Sequence, residues 1–238
     1  MTPATLTALI DGTWPAKSIE TVDGWSIRTG AGGGSRVSCA SQRAAGSDIA
    51  IAESAMRDLG QTPIFMARHG DDTLDEDLAA RGYLIKDPVT YYTCPTATLT
   101  DQRPPTLSCF QVWPPLAAQV EIWGAGGIDA PRLAIMDRSA GPKTTVLGRV
   151  NDTPAGTAFA AIHEGTAMLH AIETARAFRR MGVGRNMITG LAFWARENNA
   201  DTIALLVTTA NTAANALYSS MGFRAAGGYH YRIHPEAT

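Results

Sequence analysis

The chain has 238 residues, 45% of them hydrophobic and 18% charged. That exceeds one average domain, suffices to bury a real core, and excludes disordered and fibrous classes. A net charge of −2 disfavours a broadly basic nucleic-acid binder. The charge is uneven: residues 1–100 hold 8 Lys/Arg and 12 Asp/Glu, while residues 101–238 hold 12 and 10, so an anionic ligand is expected in the second half.

Met1 to Pro15 carries no basic segment ahead of an apolar run and does not read as a signal peptide. No stretch reaches the roughly 18 apolar residues of a membrane span. Residues 115–137 come nearest and are interrupted by Glu121, Asp129 and Pro131. Cys39, Cys94 and Cys109 are widely spaced and form no CxxC pair, which excludes a zinc ribbon and a thioredoxin-type site. They fit reduced thiols in a cytoplasmic protein.

In chain order, Trp25–Arg28 and Arg36–Ser41 read as strands around a flexible glycine run, Gly30–Ser35, expected to be a mobile hairpin. Asp48–Leu59 has helical spacing and stops at Gly60. Pro63–Arg68 is a short strand, Leu74–Ala80 a helix ended by Gly82, and Tyr83–Cys94 an extended segment. Thr98–Thr106, with Pro104-Pro105, reads as a linker. Helices follow over Leu116–Trp123 and Ala130–Asp137, then strands over Thr144–Val150, Thr157–Ile162 and Ala167–Thr174, the last two joined by a tight turn at Glu164-Gly165. Gly182–Asn198 is a helix with Val183, Met187, Leu191 and Trp194 on its apolar face. Thr202–Val207 is a buried-type strand, Asn211–Met221 a helix stopped by Gly222, and Phe223–Ile233 supplies the closing strands. Strands that alternate with helices and also form hairpins imply a mixed α/β sheet, mostly antiparallel and flanked by helices.

A shift of 140 residues overlays the two halves without a gap over some forty-five positions. The helix at 50–59 falls on 190–199, the strand at 63–67 on 203–207, and Arg81-Gly82-Tyr83 on Met221-Gly222-Phe223. The match is one of pattern and implies two copies of one supersecondary plan.

The segment Arg179-Arg180-Met181-Gly182-Val183-Gly184-Arg185 follows a strand and opens a helix. Free N–H groups at a helix start, aided by the dipole, form an anion site that glycines let a pyrophosphate approach closely. A Rossmann loop would need a third glycine where Met187 stands, and a Walker A loop would need Lys where Arg185 stands. The pattern Arg-x-x-Gly-x-Gly over Arg179–Gly184 resembles the GNAT acetyltransferase signature. So does the block from Asn211 through Ala214, Leu217 and Tyr218 to Gly222-Phe223, as does the preceding strand Leu169–Thr174. Three blocks in order make residues 107–238 similar to one GNAT unit.

The resemblance implies acetyl-CoA as cosubstrate. Backbone groups of Ile172, Glu173 and Thr174 would pair with the pantetheine arm. The N–H groups over Met181–Arg185, helped by Arg179 and Arg180, would hold the pyrophosphate. Asn211 would contact the pantetheine or order the site, Ala214 would leave the ligand room, and Tyr218 would protonate the departing thiolate. Asn211 and Tyr218, about two turns apart, share a helix face, and a phenol is roughly matched to a thiol in pKa. The base that deprotonates the amine is Glu173 or His170. Three residues apart on a period of two, these would point to opposite faces of a regular strand. His230 and His234, about 13 Å apart along a strand, are too far apart for a metal pair, and no metal is expected.

At the repeat offset, Arg179–Gly184 maps to Cys39–Ala44, Asn211 to Asp71 and Tyr218 to Leu78, so the first half lacks the cofactor apparatus. The expected organisation is a tandem GNAT fold: a degenerate unit over 1–100 and a catalytic unit over 101–238. The first half would wall the amine cleft, with Asp71, Asp72, Asp75 and Glu76 attracting a cationic amine. The expected activity is N-acetylation of a small-molecule primary amine by a monomer or homodimer that contacts neither nucleic acid nor membrane. The alternatives are a protein N-terminal or lysine acetyltransferase and a non-catalytic acyl-CoA-binding sensor.

Overall fold

The computed structural model describes residues 2–234. The first half contains α1 (Pro3–Thr13), β1 (Ser18–Val22), β2 (Trp25–Thr29), α2 (Ser35–Ser38), β3 (Ser41–Gln42), α3 (Ile49–Asp58), β4 (Ile64–Arg68), α4 (Asp72–Ala80), β5 (Leu84–Pro95) and α5 (Thr96–Leu99). The second contains β6 (Cys109–Val112), α6 (Ala117–Ala125), α7 (Ala130–Arg138), β7 (Lys143–Val150), β8 (Thr153–His163), β9 (Thr166–Thr174), α8 (Val183–Glu197), β10 (Thr202–Thr208), α9 (Thr212–Ser220) and β11 (Arg224–Ile233). Local chemistry explains most boundaries. Asp48 and Asn211 accept from N–H groups of Ala50 and Ala214 at the starts of α3 and α9. Gly60, Gly82 and Gly222 take left-handed conformations just past α3, α4 and α9.

Eight strands form one sheet in the order β4–β11–β5–β10–β9–β8–β7–β6, and β1–β2–β3 form a small one. An isolated parallel bridge, Ala40↔Phe65, joins the two. Within the large sheet β9–β10 pair in parallel and the other neighbours antiparallel. Side chains of α1, α2, α6 and α7 cover one face of the large sheet. Those of α5, α8 and α9 cover the other, with α3 and α4 on that side of the first half. The expected apolar stripe of α8, Val183, Met187, Leu191 and Trp194, is buried there.

The halves share this sheet by exchanging their closing strands: β5 lies between β10 and β11, and β11 between β5 and β4. The 140-residue offset survives in the pairing. Phe65↔Arg232 and Ala67↔His230, each shifted by the offset, become Leu205↔Tyr92 and Val207↔Thr90, and all four pairs exist. Val89 pairs with Tyr229, its own shifted counterpart. The arrangement is that of an approximate twofold through the β5–β11 pair. Gly228 permits the close approach there, since a Cβ on it would stand 2.2 Å from the Val89 carbonyl oxygen.

Several expectations change. Arg36–Ser41 is not a strand: Ser35–Ser38 form the one-turn α2, and β3 keeps two residues. The run Gly30–Ser35 is packed rather than mobile. A Cβ on Gly33 would meet Ile135 Cδ1 at 2.5 Å, and one on Gly32 would meet Pro131, so glycine lets this backbone lie against α7. The expected linker begins inside α5, and α1, β1 and β6 gave no strong pattern in the sequence. Among the described residues no helix is long and apolar enough to cross a membrane.

The exchange makes two predictions. A protease site inserted between Arg103 and Pro104, both exposed or nearly so, leaves after cleavage two fragments that co-elute on size exclusion with unchanged circular dichroism. Separation into two folded monomers would contradict the shared sheet. Gly228→Ala overpacks the centre by about 2 kcal/mol and lowers Tm by roughly 4–8 °C in a thermal melt.

Candidate active site

β9 and β10 pair only from Thr202↔Thr166 to Leu205↔Leu169. Beyond that point β9 continues to Thr174 and β10 to Thr208 with no ladder between them. Their outer edges are held by β8 and β5, so the strands diverge into a slot whose inner backbone groups await a partner. Ile172 and Thr174 lie on this free stretch.

The start of α8 stands beside the slot. Gly182 is its N-cap, left-handed at φ 79°, with no side chain capping the helix and no acidic residue in the first turn. The first N–H groups of a long helix are therefore left to an anion. Arg176, Arg179, Arg180, Met181 and Arg185 are exposed around this turn, and Val183 is buried beneath it. A Cβ on Gly184 would meet Leu217 Cδ2 at 3.2 Å and Thr174 Oγ1 at 4.0 Å, so this glycine keeps the ends of β9, α8 and α9 together. Arg185 Nη2 donates to Ser220 Oγ at 2.8 Å, tying the two helices. These residues fit a pyrophosphate.

On α9, Asn211 Oδ1 caps the helix by accepting from Ala214 N at 3.1 Å. Asn215 Nδ2 donates to the carbonyls of Thr208 and Asn211, and Asn215 Oδ1 accepts from the Tyr92 hydroxyl. Asn211 thus orders the start of α9 at the slot's far wall, with Ala214 half-buried behind it. Tyr218 is buried between Tyr92 and Phe223, ring centroids 6.2 and 5.9 Å away. Burial pushes its phenol up to about 12, so it is a proton donor throughout the neutral range.

The two base candidates do not point to opposite faces. Thr157 pairs with Glu173 but Phe159 with His170, so β9 carries one extra residue there, and Ala171 has φ 51°. This bulge resets the alternation and brings both side chains to the face of α1 and α6. Trp123 Nε1 pins it by donating to the Ala171 carbonyl at 2.8 Å. Glu173 is half-buried against Gly126 at the end of α6, 3.4 Å from Arg179 Nη2. It opens into a cavity of about 530 Å³ that Glu121, Ile122, Arg176 and Arg179 also line. His170 is buried. Its Nε2 lies 3.0 Å from Thr13 Oγ1, its Nδ1 3.3 Å from Arg36 Nη1, and its ring lies against Trp14 at 4.9 Å. Because the guanidinium can only donate, Nδ1 accepts and Nε2 carries the proton. Burial, then the nearby Arg36 charge, hold its pKa well below the usual 6.5.

The first half has a counterpart slot between β3 and β4, and it is closed to the same ligand. Arg68 Nη2 spans it to the Gln42 carbonyl at 2.6 Å, and Arg68 is paired with Asp71. The Asp48 carboxylate already occupies the start of α3. A cavity of about 580 Å³ remains beside it, lined by Thr7, Asp11, Ser26, Ser41 and Arg43 among others. Three antiparallel pairings separate β4 from β10, so their C-terminal ends lie at opposite ends of the sheet. Asp71, Asp72, Asp75 and Glu76 are thus remote from the β9–β10 slot. Asp75 is further engaged by Arg232 and His230, each at 2.6 Å, and the Arg232 hydrogen bond lowers its pKa. These acids cannot steer an amine to Glu173. Among the described residues no group of three or more His, Cys, Asp and Glu is placed to hold a metal.

Sequence reasoning missed Arg36, Trp123 and Glu121. Arg36 comes from α2 and the other two from α6, and none belongs to a spaced motif.

The acetyltransferase (GNAT) family matches residues 109–223. An uncharacterised N-acetyltransferase, YobR of Bacillus subtilis, is 37% identical over 70 residues, a stretch covering 29% of this chain and 28% of that relative. A GCN5-related N-acetyltransferase from Kribbella flavida superimposes with TM-score 0.71 at 17% identity over 98% of this chain and 95% of its own. A tandem GNAT protein from the clavulanic acid biosynthesis pathway does so with TM-score 0.56 at 15% identity over 76% and 66%. At these identities the structures establish likeness of fold.

The environment of His170 makes a pH prediction. With the folded pKa depressed, the unfolded chain binds the extra proton below about pH 6.5, so stability is lost as the pH falls through that value and is unaffected above it. Tm of His170→Asn should fall less steeply between pH 7 and 5 than that of the parent. Parallel curves would show that His170 titrates normally.

Proposed function

We propose that this chain, of which residues 109–223 match the acetyltransferase (GNAT) family, moves the acetyl group of acetyl-CoA to the primary amine of a small molecule by direct attack. The observation that carries the reading is the uncapped, glycine-opened start of α8 beside the unzipped end of β9 and β10. That pairing supplies a pyrophosphate site and a backbone slot in one place. We read the first half as a second copy of the same plan that lost its cofactor loop, and the protein as cytoplasmic.

Acetyl-CoA supplies an activated thioester. Its chain would pair with β9 between Ile172 and Thr174, with its phosphates on Met181–Arg185. Glu173 takes the proton from the incoming ammonium, directly or through a water in the adjoining cavity. The freed nitrogen attacks the thioester carbon, the C–S bond breaks, and Tyr218 gives its proton to the departing thiolate. His170, held neutral by burial and then by the Arg36 charge, keeps its proton on Nε2 and positions β9 against α1. A small acceptor is favoured over a protein chain because α1, α2, α6 and α7 all stand on the acceptor face.

Acetyl-CoA should raise Tm in a thermal-shift assay, and thiol release should depend on an added amine. Absence of a shift would remove the whole reading. A shift without turnover of any amine would favour an acyl-CoA sensor. Tyr218→Phe keeps the ring packing and should lower kcat by roughly 10²–10⁴-fold, with little change in acetyl-CoA binding. An unchanged kcat would rule out Tyr218 as the acid.

A further inference from the structure

Two arginines of the first half meet the centre of the sheet in different ways. Arg28 is fully buried and matched by Asp11, with two contacts of 2.8 Å. Arg36, half-buried in α2, has no carboxylate within ion-pair distance among the described residues. Its contacts are neutral and long: Nε to the Tyr229 hydroxyl at 3.3 Å and Nη1 to His170 Nδ1 at 3.3 Å. A cation partly removed from water and answered only by neutral acceptors costs stability. An anion arriving from outside would offset that cost.

The position of Arg36 says which anion. It touches His170, so it stands over the same face of β9 as Glu173, on the acceptor side. The turn ahead of it rests on α7: Gly32 lies against Pro131, and a Cβ on Gly34 would stand 3.3 Å from Arg132 Nη2. Arg36 therefore lies at the seam where the helices of the two halves meet above the acceptor floor. The coenzyme's phosphates are provided for at the start of α8, where Tyr218, Leu217 and Thr174 gather, on the opposite face.

We propose that the acetyl acceptor carries a carboxylate in addition to its amine, and that Arg36 binds that carboxylate while Glu173 receives the ammonium. The proposal rests on the acetyltransferase reading above and deepens it. It gives the first half a direct part in the site, because the residue that selects the acceptor comes from there.

The test compares matched pairs of amines: alanine with ethylamine, 4-aminobutyrate with propylamine, and 6-aminohexanoate with pentylamine. The parent protein should prefer at least one aminocarboxylate, and that compound should add to the thermal shift given by acetyl-CoA. Arg36→Met should reduce kcat/KM for it by roughly 30–1000-fold, chiefly through KM, so that the ratio of carboxylate-bearing to plain amine collapses toward one. Arg36→Lys should restore part of the ratio. The acetyl-CoA shift of Arg36→Met should be unchanged and its Tm equal or higher, since an unpaired cation has been removed. A lower Tm with all amines slowed alike would make Arg36 merely structural and overturn the proposal. So would a parent protein that prefers plain amines, or one that acetyl-CoA stabilises while aminocarboxylates neither react nor add to the shift. Failure of acetyl-CoA to bind would instead remove the underlying reading.

Discussion

A gap inside a β-sheet must be held open, because two adjacent strands with free backbone groups gain by pairing. Here β9 and β10 stay apart because each is fully engaged on its outer edge, β9 by β8 and β10 by β5. The second of these strands belongs to the other half of the chain. The slot on which the proposed chemistry depends is thus braced by a strand borrowed from a half that has no slot of its own for the coenzyme. The same exchange returns β11 to pair with β4.

The two halves show what the shared plan keeps and what it can lose. The pairing register is preserved at the 140-residue offset, since a one-residue slip would turn every buried side chain outward. Phe65 and Met66 are buried in the first copy, as Leu205 is in the second. The ligand apparatus is under no such constraint. Where the second half leaves α8 uncapped behind Gly182, the first half puts Asp48 on α3. An N-cap contributes about 0.5–2 kcal/mol, which α3 has from Asp48 and α8 forgoes.

On the acceptor face, one bulge decides the geometry. A residue inserted at Ala171 brings His170 and Glu173 to the same side, and their surroundings then separate their roles. Glu173 opens to a cavity and pairs with exposed Arg179. His170 is enclosed by Trp14, Phe159 and Thr13 beside a fixed cation, where a second positive charge is excluded. Arg36 and Trp123, which set these environments, come from α2 and α6 and approach β9 only because the sheet brings the two halves under one helical layer.

The sequence by itself determined the parts that rest on local periodicity and short spacing. These include the helix over 183–197 with its buried stripe, the glycine-opened turn before it, the asparagine at 211 with the tyrosine seven residues on, and the repeat pattern. These follow from 3.6-residue and two-residue periods and from backbone conformations that glycine alone adopts readily. Tertiary structure alone decided which strands are neighbours, that the acidic residues at 71–76 lie at the far end of the sheet, and that Glu173 and His170 share a face. It also decided that an arginine of the first half, Arg36, reaches His170 of the second. Strand order, the effect of a bulge, and the charge environment of a buried side chain all depend on contacts between residues far apart in the chain, which no local pattern encodes.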